Sequence, residues 1–217
     1  MTTYTVSTRF AWRAPVSERV VRVCRMFGLT LDRLTEGAPD HRCRVEIQPG
    51  DIVYITGPSG AGKSVLLREL QRGVPASDAV DLGSIALPED RTVIDCFEGD
   101  ILANLQTLSA AGLGDVFSIL NRPCCLSDGQ KYRFRLARAL GAGRPFVFAD
   151  EFCSELDRIT AATVAFNVHR FAKKAKTTLV LASARDDILI DLAPDVVIVK
   201  DFCGEARVTY REQRQRI

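Results

Sequence analysis

Polar and apolar positions alternate with a period of two over residues 4–12 and again over residues 44–48, which predicts a strand at each place. Between them Val16, Val20, Val23 and Phe27 recur at helical spacing behind Ser17, a residue suited to cap a helix start. Gly37-Ala38-Pro39-Asp40 and Pro49-Gly50-Asp51 read as turns. The second turn leads into the β-prone run Ile52-Val53-Tyr54-Ile55-Thr56. Three later apolar runs, 145–149, 178–182 and 196–199, have the continuous character of strands buried on both faces. Helical patterns lie between them, which is the rhythm of an α/β protein with a mainly parallel central sheet. Residues 81–87 also read as strand-like, ending in Pro88-Glu89-Asp90. The tail, residues 211–217, is polar and basic and reads as a solvated end.

The run at 52–56 is followed by Gly57-Pro58-Ser59-Gly60-Ala61-Gly62-Lys63-Ser64 and then by helix-like Val65-Leu66-Leu67-Arg68-Glu69-Leu70. Strand, glycine-rich loop and helix together make a phosphate cradle. Glycines let successive N–H groups turn toward phosphate oxygens, and the new helix presents its positive end. Lys63 is placed to reach the β- and γ-phosphates, and the Ser64 hydroxyl to ligate Mg²⁺. The pattern predicts binding of a nucleoside triphosphate. A second candidate constellation is Phe146-Val147-Phe148-Ala149-Asp150-Glu151, which sets two acids at the carboxyl end of a buried strand. Ligands sit at that edge of a parallel sheet. Asp150 suits Mg²⁺ support, and Glu151 suits activation of an attacking water.

Composition changes this picture little. The 217 residues suffice for one sizeable domain, and 29 basic against 27 acidic residues leave a formal charge of +2 that names no partner. Nothing in the sequence signals nucleic-acid binding. No apolar run approaches the roughly 18 residues that span a bilayer, and the N-terminus lacks the apolar stretch of a signal peptide. Direct membrane insertion is therefore not expected. The seven cysteines, at 24, 43, 96, 124, 125, 153 and 203, are scattered and include no C-x-x-C pair. Reduced thiols and a cytoplasmic location are the expectation.

Leu126-Ser127-Asp128-Gly129-Gln130 precedes a helical stretch, and Asp150-Glu151-Phe152-Cys153-Ser154-Glu155-Leu156-Asp157 follows the apolar run 145–149. With the phosphate loop, these segments resemble the ABC-type ATPases, whose signature usually reads L-S-G-G-Q and whose Walker B strand is followed by an S-x-L-D loop. The resemblance runs from about residue 44 to 200. It implies one ABC-type ATP-binding domain over 1–217, with an N-terminal strand and helix segment over 1–43. A shortened helical subdomain carrying the signature would cover about 88–142. ATP and Mg²⁺ are the implied cofactors. Gly57, Pro58, Ser59, Gly60, Ala61, Gly62, Lys63 and Ser64 would hold the phosphates, with Ser64 and Asp150 serving the metal. Glu151 would polarise the hydrolytic water. Ser127, Gly129 and Gln130 would face the γ-phosphate of a second subunit in an ATP-dependent homodimer, with Asp157 at the interface. Adenine stacking falls to an aromatic before the loop: Phe27 is the first candidate, with Tyr4, Phe10 and Trp12 behind it.

Three departures from the family pattern bear on function. Arg185 stands where the switch histidine belongs, and as a fixed cation it could contact the γ-phosphate. His169, mid-helix, reads as structural. No glutamine occurs between Gln71 and Gln106; Glu89 or Asp90 reads either as the substitute metal contact or as an exposed loop acid. Residues 65–125, between loop and signature, form a short insertion, similar to compact ABC ATPases associated with acetyltransferase-like domains. The leading expectation is a soluble, non-transport ATPase with an unidentified protein partner, either acetyltransferase-like or a membrane subunit. The alternatives are a nucleotide-binding subunit of a membrane transporter and a slow or non-hydrolysing switch.

Overall fold

The computed structural model describes residues 2–9, 14–36, 40–202 and 204–211. The turn at 37–39, Phe10, Trp12, Cys203 and the tail beyond Arg211 lie outside the described residues. Strand β1 (Thr2–Arg9) pairs antiparallel with β2 (Asp40–Ile47) as a two-stranded ribbon, from Thr2 opposite Ile47 to Arg9 opposite Asp40. Between them lie α1 (Glu18–Met26) and the short α2 (Leu31–Glu36). Ser17 caps α1 by accepting from the Val20 amide, as its position predicts.

The main sheet is built from β3 (Ile52–Thr56), β4 (Ala79–Asp81), β5 (Phe146–Ala149), β6 (Thr178–Ala182), β7 (Val196–Val199) and β8 (Arg207–Tyr210). Their order is β4-β5-β6-β3-β7-β8, and every neighbouring pair is parallel except β7 with β8. The expected α/β class with a mainly parallel sheet is what forms. The edge strand β8 had no counterpart in the sequence reading. The strand expected over 81–87 is replaced: β4 ends at Asp81, and a 3₁₀ turn occupies Leu82–Ser84. The Asp81 carboxylate accepts from the Gly83 amide at 3.1 Å, and this local turn ends the ladder.

Alternation along the strands divides the core in two. Ile52, Tyr54, Val147, Ala149, Leu179 and Leu181 face one layer. That layer is covered by α4 (Ile101–Ala110), α5 (Val116–Ile119), α6 (Asp128–Gly141) and α7 (Arg158–Ala175), with α8 (Leu189–Leu192) at its edge. Val53, Ile55, Phe148, Val180 and Ala182 face the other, with α3 (Lys63–Arg72) and the β1–β2 ribbon above them. Truncating Phe148, which is fully buried, is expected to cost about 3–5 kcal/mol. At about 2–4 °C per kcal/mol for a chain of this size, calorimetry of Phe148→Ala should show Tm lower by roughly 10 °C.

Candidate functional site

Strand β3 is buried along its whole length and ends at the loop of residues 57–62, with α3 beginning at Lys63. The turn out of the strand is tight. Gly57 has φ +141°, and a Cβ there would lie 2.0 Å from the Lys200 carbonyl oxygen at the end of β7. At the other end of the loop Gly62 has φ +92°, and a Cβ would meet the buried His41 ring from β2 at 2.2 Å. Both glycines are therefore required by backbone conformation and by space. Lys63 is buried and curls back over the loop, its Nζ donating to the carbonyls of Gly57 (2.9 Å) and Pro58 (3.0 Å). The loop is thus pre-shaped around the cation that would meet phosphate. Ser64, half-buried, occupies the first turn of α3.

Two strands away, β5 carries Asp150 and Glu151 to the same edge of the sheet. The chain then turns sharply, with left-handed φ values of 50° at Glu151 and 59° at Cys153. Such values in non-glycine residues cost of order 1–3 kcal/mol each and persist only where neighbours impose them. Here the Phe152 amide donates to the Ala182 carbonyl (2.8 Å), and the Cys153 amide to the Tyr132 hydroxyl (2.8 Å). Ser154 donates to Glu151 Oε2 at 2.8 Å, leaving Glu151 exposed at the edge. Burial pushes the Cys153 thiol up to about 12, so it is neutral and unreactive near pH 7.

Arg185 lies in the loop after β6. Its Nη1 donates to the carbonyls of Cys153 (3.1 Å) and Leu156 (2.5 Å), and its Nε and Nη2 grip Asp187 at 3.0 and 2.8 Å. The hydrogen bond from Arg185 holds the Asp187 carboxyl below the usual carboxylate range. Two residues of β3 secure the same loop: Tyr54 donates to the Arg185 carbonyl (2.5 Å), and Thr56 donates to Asp186 Oδ1 (2.7 Å). Burial pushes the Tyr54 phenol up to about 12, so it remains a donor.

The signature segment starts α6. Ser127 and Gln130 form a reciprocal capping box, and Gln130 Nε2 also donates to Ser118 Oγ at 2.7 Å. Gly129 lies in the first turn, its carbonyl accepting from Arg133. Ser127 is exposed, as an anion-facing helix start requires. Asp157 caps α7 by accepting from the Ile159 and Thr160 amides. Its hydrogen bonds, with the Thr160 hydroxyl foremost, hold its carboxyl low.

The other sequence candidates stand on other elements. Phe27 ends α1 with 75% of its surface exposed. Tyr4 packs against Gly73, just past the end of α3 remote from the loop. Glu89 is exposed in the loop after edge strand β4, from which β5 and β6 separate β3. Asp90 pairs with Arg91. His169 sits mid-helix in α7 with Nδ1 2.8 Å from the Leu192 carbonyl, a structural contact. Sequence reading missed Tyr54, Thr56, Tyr132, His41, Asp186 and Asp187. The signal for Tyr54 and Thr56 was a polar tip in an otherwise apolar strand; for Tyr132 and His41 there was none.

A family model described as ABC transporter matches residues 41–107. A methionine import ATP-binding protein of Pseudomonas fluorescens, MetN 3, is 30% identical over 86% of this chain and 63% of its own length. An aliphatic sulfonates import ATP-binding protein of Paracoccus denitrificans, SsuB 1, is 29% identical over 81% of this chain and 79% of its own. A structure titled as the ADP- and phosphate-bound post-hydrolysis dimer of the ATP-binding cassette MJ0796 superposes with TM-score 0.66. It is 17% identical and covers 96% of this chain and 98% of that one. In sequence the chain is similar to ABC-type ATP-binding proteins, and it shares their cassette fold. The cassette fold accounts for the mixed, mostly parallel sheet, and the chain spans less than two thirds of the MetN relative.

Gly57→Ala would force a methyl group against the Lys200 carbonyl, one residue past β7. A strain of about 1–3 kcal/mol at the loop is expected to weaken ATP binding about tenfold or more by titration calorimetry. Asp187 has a folded-state pKa below its unfolded value of about 3.9, so its contribution is complete above that value. The contribution is lost as pH falls through the lower folded value. Thermal melts from pH 5 down to 2 should accordingly show a shallower decline of Tm for Asp187→Asn.

Proposed function

We propose that this cassette binds Mg·ATP on the 57–64 loop and hydrolyses it to ADP and phosphate as part of an ATP-bridged pair of subunits. The observation that carries the reading is the convergence of a pre-shaped phosphate loop and the exposed Glu151 turn on one edge of the sheet. Loop amides and Lys63 hold the β- and γ-phosphates. Glu151 orients a water for in-line attack and accepts its proton, and the bond to the ADP oxygen breaks. The donors suit Mg²⁺: Ser64 offers a hydroxyl and Asp150 a carboxylate, both hard oxygens. Among the described residues no group of three or more His, Cys, Asp or Glu forms a cage of its own. That is in keeping with an ion that takes its other ligands from phosphate and water, where it would screen the growing negative charge. Ser127 is exposed and Gly129 and Gln130 are half-buried at the start of α6, where a second subunit's γ-phosphate can meet the amides of the first turn that the capping box leaves over.

The output passes to a protein partner. Two relatives are named as import ATP-binding proteins, which supports a membrane subunit as that partner, and nothing in those names supports the non-transport role. Ile101, Leu102, Val116, Phe117 and Leu120 are exposed on α4, α5 and the residue after it, Phe117 to 86%, and offer apolar side chains for such contact. No helix among the described residues is long and apolar enough to cross a membrane, so coupling would run through that contact. A slow switch is the second reading, favoured by the Arg185 guanidinium being engaged with protein groups.

Steady-state ATP hydrolysis measured against protein concentration tests the proposal. Turnover should rise faster than linearly with protein, and Glu151→Gln should lower it by about 10²–10⁴ while retaining ATP binding. Equal rates in the two proteins would exclude hydrolysis by this site; binding without turnover would favour the switch.

A further inference from the structure

We propose that Arg185, together with Tyr132, is a positioning residue that holds the Glu151 turn in register with the phosphate loop before nucleotide arrives. The inference rests on the hydrolytic reading above for its kinetic consequence, and on hydrogen bonding alone for the clamp. Two elements meet at the turn, and a third secures one of them. From the loop after β6, Arg185 Nη1 takes the carbonyls of Cys153 and Leu156, while Nε and Nη2 close a two-point pair with Asp187. From α6, the signature helix, the buried Tyr132 hydroxyl takes the Cys153 amide. From β3, Tyr54 and Thr56 fix the Arg185 loop itself.

Each arm has a separate task. Glu151 and Cys153 both sit at positive φ, a conformation the isolated chain would leave. Fixing the Cys153 amide from one side and the Cys153 and Leu156 carbonyls from the other closes the escape in both directions. With Asp187 and two carbonyls as partners, the guanidinium has few donors left for an incoming phosphate. Arg185 therefore acts through Glu151 rather than on ATP. Its charge also does not change between pH 6 and 9, so the clamp does not open by titration of this residue. Lysine cannot reproduce the arrangement, because one ammonium cannot grip a carboxylate at two points and reach two carbonyls together.

Two measurements on the whole chain with Arg185→Lys and Tyr132→Phe test this. Amide hydrogen exchange without nucleotide should show faster exchange over residues 151–156 in both variants, with protection of α3 and α7 unchanged. ATP and ADP affinities by calorimetry should match the parent protein, while kcat falls about 10–100-fold in Arg185→Lys. A rise in Kd for ATP but not ADP, with kcat preserved, would show that Arg185 touches the γ-phosphate and overturn the proposal. Unchanged exchange over 151–156 in both variants would overturn it as well. Faster exchange in a protein whose parent form hydrolyses no ATP would keep the clamp and remove the hydrolytic reading instead.

Discussion

The placement of β3 between β6 and β7 is the constraint from which the site follows. Its entrance is pinned by the Ile52 amide donating to the Asp195 carboxylate at 2.7 Å, itself paired with Lys173 at 2.6 Å. Its exit is pinned by the Lys200 amide donating to the Thr56 carbonyl, one residue before the Gly57 turn presses against Lys200. Because all five residues are buried, a slip of one position would move Tyr54 and Thr56 to the wrong faces and empty both core layers. The phosphate loop therefore begins at one fixed height above the sheet. The parallel register through β6 to β5 sets the height of Asp150 and Glu151 against it.

That geometry is electrostatically prepared. Lys63 is held by two carbonyls of the loop, so little side-chain freedom would remain to be lost if phosphate took their place. The acid turn is equally constrained, but by contacts that come from three separate parts of the chain. A rigid cradle and a rigid acid on one sheet edge are what in-line attack on a phosphate needs, since misplacement by an ångström is costly.

The sequence made the frame legible because the frame is periodic. The apolar runs over 145–149, 178–182 and 196–199 became β5, β6 and β7, and the alternation near 44–48 became β2, extended back to Asp40 by pairing with β1. Local chemistry misled at 81–87, where apolar alternation lost to the Asp81–Gly83 turn. The edge strand β8 went unread because a mostly exposed strand of four residues carries a weak pattern. At the site, motifs with fixed spacing located the loop, the acids and the signature. The partnership of Arg185 with Cys153, Leu156 and Asp187 was not legible: the first two join residues about thirty positions apart through carbonyl oxygens, which no side-chain pattern records.

The central claim is that the 57–64 loop reads a polyphosphate. The most direct measurement is the dissociation constant of the whole chain for ATP, ADP and AMP in the presence of Mg²⁺, by titration calorimetry. ATP and ADP should bind and AMP should bind far more weakly if Lys63 and the loop amides meet the β- and γ-phosphates as proposed. Equal affinity for AMP and ADP, or no binding of any of the three, would contradict the account.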